Sequence, residues 1–67
     1  METVYFFSDY GLSKENFIIG KMMSEAPAYG DVISLKGKMY KVMKSEYDHE
    51  VWQSAREKIY YVVVKAI

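Results

Sequence analysis

The sequence predicts an all-β domain: a small five-stranded antiparallel barrel or curved meander, with at most one short helix. Three observations predict it. Residues 30–42 (GDVISLKGKMYKV) spell a β-hairpin around Gly37. Residues 58–67 (KIYYVVVKAI) are rich in β-branched and aromatic side chains and apolar on both faces, the pattern of a covered central strand or of one facing a partner. The chain has only 67 residues and no cysteine, which allows one domain and no disulfide.

The central hairpin fixes its own register. Glycine adopts positive φ without steric cost, as two-residue hairpin loops require. A Lys36-Gly37 loop sets Ile33 opposite Tyr40, and a Gly37-Lys38 loop sets Leu35 opposite Tyr40. Either way Ile33, Leu35, Tyr40 and Val42 share one face. A three-residue loop would pair Ile33 with Lys41 and turn a charge inward, and a one-residue slip reverses every side chain. Gly30-Asp31 is a turn signal, and Pro27 cannot continue a ladder, so a strand begins at Val32.

Taken in order, residues 3–7 (TVYFF) read as a strand with Val4 and Phe6 on one face and Tyr5 and Phe7 on the other. Residues 8–13 (SDYGLS) form a turn or loop. Residues 16–23 (NFIIGKMM) read as a strand pairing back on the first, because Gly20 disfavours a helix and Phe17-Ile18-Ile19 favours a strand. The alternative is a helix capped by Ser13 with Glu15 in its first turn. Residues 24–29 (SEAPAY) connect onward to the hairpin. Its second strand runs from Met39 to about Tyr47, with Met39 and Met43 opposite the Tyr40–Val42 face. Residues 48–56 (DHEVWQSAR) read as a loop or one to two helical turns with Asp48 as cap. In the last strand, Tyr60, Val62, Val64 and Ala66 form one face; Ile59, Tyr61, Val63, Lys65 and Ile67 form the other.

Composition narrows function. Below roughly 70–80 residues one core seldom supplies more than ~3–5 kcal/mol, so dense aromatic packing or oligomerisation is expected. Seven Tyr, three Phe and one Trp provide the means. Nine basic and nine acidic residues balance, which argues against a dedicated duplex-binding protein and permits self-association. No apolar run reaches the ~18–20 residues of a membrane span, and no signal peptide is visible, so the expected location is the cytoplasm.

No constellation points to catalysis, a metal or a cofactor. His49 is the one histidine; beside Asp48 and Glu50 it lacks a recurring metal-ligand spacing and reads as part of a solvated loop. The four glycines are isolated, so no phosphate loop exists. No serine sits in a nucleophile turn. The expectation is a non-enzymatic protein.

The order of a proline-containing connection, a Gly-Asp turn, a Gly-cornered hairpin and an aromatic-x-Val strand, followed by IYYVVVK, resembles short phage-encoded small all-β proteins of unknown function. The resemblance covers roughly the C-terminal half and carries no catalytic motif. It implies a viral origin and the role of an inhibitor of a host protein, such as a defence protein.

The surplus apolar surface on residues 3–7 and 58–67 predicts a protein that binds another macromolecule and forms a homodimer. Trp52, Tyr61, Val63 and Ile67 are the expected contact residues. An alternative is single-stranded nucleic-acid or anion binding through Lys36, Lys38, Lys41 and Lys44, weighed against a lysine row that merely protects a sheet edge. A third reading is a sponge for a small ligand, with its pocket between subunits.

Overall fold

The computed structural model describes residues 2–48 and 58–67. Five strands form one strongly curled half-barrel sheet: β1 (Glu2–Phe7), β2 (Phe17–Met23), β3 (Val32–Leu35), β4 (Lys38–Tyr47) and β5 (Lys58–Ala66). Their spatial order is β2-β1-β5-β4-β3. The all-β, five-stranded curled fold expected from the sequence is therefore the one found. Three ladders are antiparallel and β1–β5 is parallel, so the chain does not wind as a simple meander. Among the described residues no helix is long and apolar enough to cross a membrane.

The strand apolar on both faces, β5, sits at the centre of the sheet. Val62, Val63 and Val64 are all buried there. Two-sided burial is what selects a continuous valine run over alternation.

One face of the sheet carries the core: Val4, Phe6, Leu35, Val42, Val62 and Val64, with Ile19, Ile33, Tyr40 and Tyr60 packed around them. Register explains the set, since Phe6 is in register with both Ile19 and Val62, and Val42 with Val64. The hairpin closes through Lys36-Gly37, with Ile33 opposite Tyr40. Both loop residues have positive φ, 50° and 80°, the type I′ geometry that matches strand twist.

The ambiguous segment after Ser13 contains both expected tendencies in miniature. Lys14–Asn16 make one 3-10 turn, and the chain then extends into β2. Ser13 makes no side-chain cap bond; its Oγ accepts from Asn16 Nδ2 at 3.0 Å instead. Without a backbone cap, and with Gly20 ahead, helix has little to sustain it.

A bulge at Met43 corrects the simple alternation expected for β4. Val42 faces Val64 and Lys44 faces Val63, leaving Met43 without a register partner. Strict alternation past Val42 would have put Lys44 on the core face. The extra residue sends Lys44 and Glu46 outward and brings Ser45 and Tyr47 round to the side of Val62 and Tyr60.

Because β2 and β3 lie at opposite edges, the chain between them must cross the sheet. It does so over the core face. Ala26 packs against the core, and Pro27 is buried. Ala26 N–H donates to Glu2 Oε1 at 2.6 Å, and Gly30 N–H donates to the Val42 carbonyl at 2.9 Å. This strap covers the hollow that the curled sheet leaves open.

Candidate binding face

The opposite, outer face carries a second apolar set. Phe17, Phe7 and Val63 lie in one register row that ends at Lys44. The next row runs Gly20, Tyr5, Tyr61 and Glu46. Four rings gather over these rows. Phe7 meets Phe17 edge-on at 5.5 Å, Tyr5 stacks on Tyr61 at 6.0 Å, and Tyr5–Phe17 and Phe7–Tyr61 are each tilted at 6.3 Å. These are the separations at which aromatic quadrupoles attract. Gly20 makes the cluster possible: a Cβ there would stand 2.8 Å from Tyr5 Cδ1, so the missing side chain leaves the space that the ring occupies.

Tyr61, expected as a contact residue, is half-buried inside this cluster, with its hydroxyl donating to Asp48 Oδ2 at 2.9 Å. Val63 corrects the sequence expectation. It is only 4% exposed, beneath the rings and flanked by Phe7, so it is a floor of the face and presents almost nothing to a partner. Ile67 is 76% exposed but stands at the other end of β5, where its N–H donates to the Met39 carbonyl. Six residues of strand separate it from Tyr61, about 20 Å at ~3.3 Å per residue. Trp52 and His49 lie outside the described residues.

The ring cluster brings forward Tyr5, Phe7 and Phe17, which were not expected as contacts. Phe17 is the most open of them at 45% exposure. A signal for them was present: the apolar second face of residues 3–7, with a glycine in the partner strand.

The four lysines do not form one stripe. Lys36 lies in the hairpin turn. Lys38 stands at the corner of the core face opposite Leu35. Lys41 and Lys44 point outward, Lys41 directly opposite Lys65, and Lys44 pairs with Glu46 at 3.3 Å. Edge protection does not account for them, since β4 has a neighbour on each side. Lys21 serves that role on the β2 edge, as an exposed charge on the core-face side of the strand. Lys41 and Lys65, like charges directly opposed, share the outer face with exposed Val32, Met39 and Ile67. The outer face thus has an aromatic half on β5-β1-β2 and a basic, apolar half on β3-β4-β5.

Among the described residues no group of three or more His, Cys, Asp or Glu side chains could hold a metal ion. No family model, curated protein or solved structure matches this chain.

Proposed function

We propose that this chain is a non-enzymatic binding protein that acts through the outer face of its sheet, with a protein surface as partner and a second copy of itself as one such surface. The carrying observation is the ring cluster of Tyr5, Phe7, Phe17 and Tyr61, built on the face opposite the core. Aromatic side chains are enriched at protein interfaces and at their energetic centres. Zero formal net charge opposes association little. The phage resemblance makes inhibition of a host protein the role that fits such a surface, and cytoplasm the place for it.

The test compares the parent protein with Phe17→Glu and Trp52→Ala by native mass spectrometry of protein drawn gently from a bacterial lysate. The expected result is a dimer or a stoichiometric complex that Phe17→Glu dissociates while the circular dichroism spectrum holds. Soluble, folded variants with unchanged self-association and unchanged partners would overturn the reading.

A second reading, single-stranded nucleic-acid binding, gains from one observation: Lys44 shares a register row with Phe7 and Phe17, and the opposed pair Lys41 and Lys65 lies on the same face. Rings beside a basic groove are how sheets hold single strands. This reading expects salt-sensitive binding of a fluorescent oligothymidylate, abolished by Lys41→Glu with Lys65→Glu. Absence of binding at low salt removes it.

A further inference from the structure

We infer that the open cleft between the strap and the Glu2 end of the core face is a binding site for a monovalent organic cation, a guanidinium or an alkylammonium group. The cleft has a volume of about 410 Å³. That lies within the range of small-ligand sites, roughly 300–1,000 Å³. Its walls come from three strands and the strap: Glu2 from β1, Ser45 from β4, Tyr60 from β5, and Glu25, Pro27 and Tyr29 from the strap.

The described lining has one sign of charge. Two carboxylates face the cleft, and among the described residues no Lys, Arg or His lines it. Lys58 is in register with Glu2 on the neighbouring strand, yet it makes no ion pair with it. Two tyrosine rings line it as well. Tyr60 is half-buried and backed by Tyr47 with ring centroids 5.2 Å apart, which fixes its ring as a wall. Tyr29, 70% exposed, stands at the rim. A cleft lined by carboxylates and tyrosine rings is a combination that attracts an organic cation and repels an anion.

The site is also held in place. Glu2 Oε1 accepts the Ala26 N–H at 2.6 Å across 24 residues of chain, which aims the carboxylate at the strap. The strap is braced by a turn in which Ala28 N–H donates to Asp31 Oδ2 at 2.9 Å and Asp31 N–H to the Ala28 carbonyl at 3.0 Å. Buried Pro27 anchors its middle. A fixed acceptor on a braced strap binds at lower ordering cost than one on a free loop.

The experiment titrates 15N-labelled protein with Nα-acetylarginine amide, whose only charge is the guanidinium, and follows the amides of Ala26, Tyr29, Ser45 and Tyr60. Nα-acetylcitrulline amide is its uncharged control, and choline represents a free small cation. Saturable shifts with the arginine derivative and none with the citrulline one are expected. Glu25→Gln and Glu2→Gln should each weaken binding about tenfold, the loss of one charge-assisted contact. Glu25 is exposed, and glutamine at position 2 still accepts the Ala26 N–H, so both variants should keep the parent spectrum elsewhere. Binding by the arginine derivative alone assigns the site to an arginine side chain of a protein; binding by choline alone assigns it to a free ammonium compound. Saturation by neither, equal shifts with the citrulline control, or unchanged affinity in both variants would overturn the inference.

Discussion

Replacing Gly20 with alanine tests whether the outer ring cluster is a packed structure or a loose collection of side chains. Gly20 lies in β2 with φ outside the positive range, so alanine meets no backbone strain there. The cost is local. The new Cβ would lie 2.8 and 2.9 Å from Cδ1 and Cε1 of Tyr5 and 3.8 Å from Phe17 Cζ. Contacts below 3.0 Å force the ring to move, yet Tyr5 is stacked on Tyr61 and tilted against Phe17. Overpacking of this kind costs about 1–3 kcal/mol. Removing glycine from the unfolded ensemble returns ~0.4–1 kcal/mol. The net expectation is a loss of roughly 1–2 kcal/mol, a fall in Tm of about 5–15 °C at ~4–8 °C per kcal/mol. The assay is thermal and urea unfolding followed by circular dichroism, run in the parent and in Tyr5→Ala. With the ring gone the clash is gone, so Gly20→Ala in the Tyr5→Ala background should be neutral or slightly stabilising, giving a coupling of at least ~1 kcal/mol. If alanine stabilises both backgrounds equally, Tyr5 is free to swing away and the ring cluster is not a built surface.

Three further outcomes are expected. Gly37→Ala should lose about 1 kcal/mol in urea unfolding, because φ is +80° there, while Lys36→Asn should gain a few tenths to ~1 kcal/mol, since asparagine tolerates the positive φ of that loop position better than lysine. Phe6→Ala removes a fully buried ring and should cost ~3–5 kcal/mol, comparable to the whole stability of so small a domain, so the protein should lose its amide dispersion at room temperature. Tyr61→Phe deletes the hydroxyl that donates to Asp48 and should cost about 1 kcal/mol, with the ring contacts retained in the near-ultraviolet spectrum.

Much of this fold is local and therefore legible. Gly37 and the alternation around it fix the hairpin, and the unbroken valines of β5 announce a strand covered on both sides. The bulge at Met43 was less visible, although its cause is in the sequence: a lysine falls where strict alternation needs an apolar residue. The parallel β1–β5 pairing was not legible, since both neighbours of a two-sided strand look alike until long-range partners are known. The candidate face suffered most. Tyr5, Phe7 and Phe17 meet only because the β1–β2 register shifts by one residue between Phe6 and Phe7, which sets Phe17 opposite Phe7, and Val63 reads as a contact only until the rings above it are placed. The lysines scatter over a turn, a corner and the outer face because a hairpin turn and a bulge intervene between them.

The parallel pairing of β1 with β5 also sets the order in which the molecule can assemble. β1–β2 and β3–β4 are two hairpins, each closed by short-range contacts, and they do not touch as neighbours in the sheet. The strand that joins them is the last of the five in chain order, and its partner β1 is the first. Two separate hairpins must therefore wait, apolar faces open, until residues 58–66 insert between them. Contacts of such long sequence separation slow folding for a chain of this size. A ribosome carrying this chain holds both halves of a core without the strand that joins them, and during that interval a chaperone, or a neighbouring nascent copy, has the same apolar faces to bind.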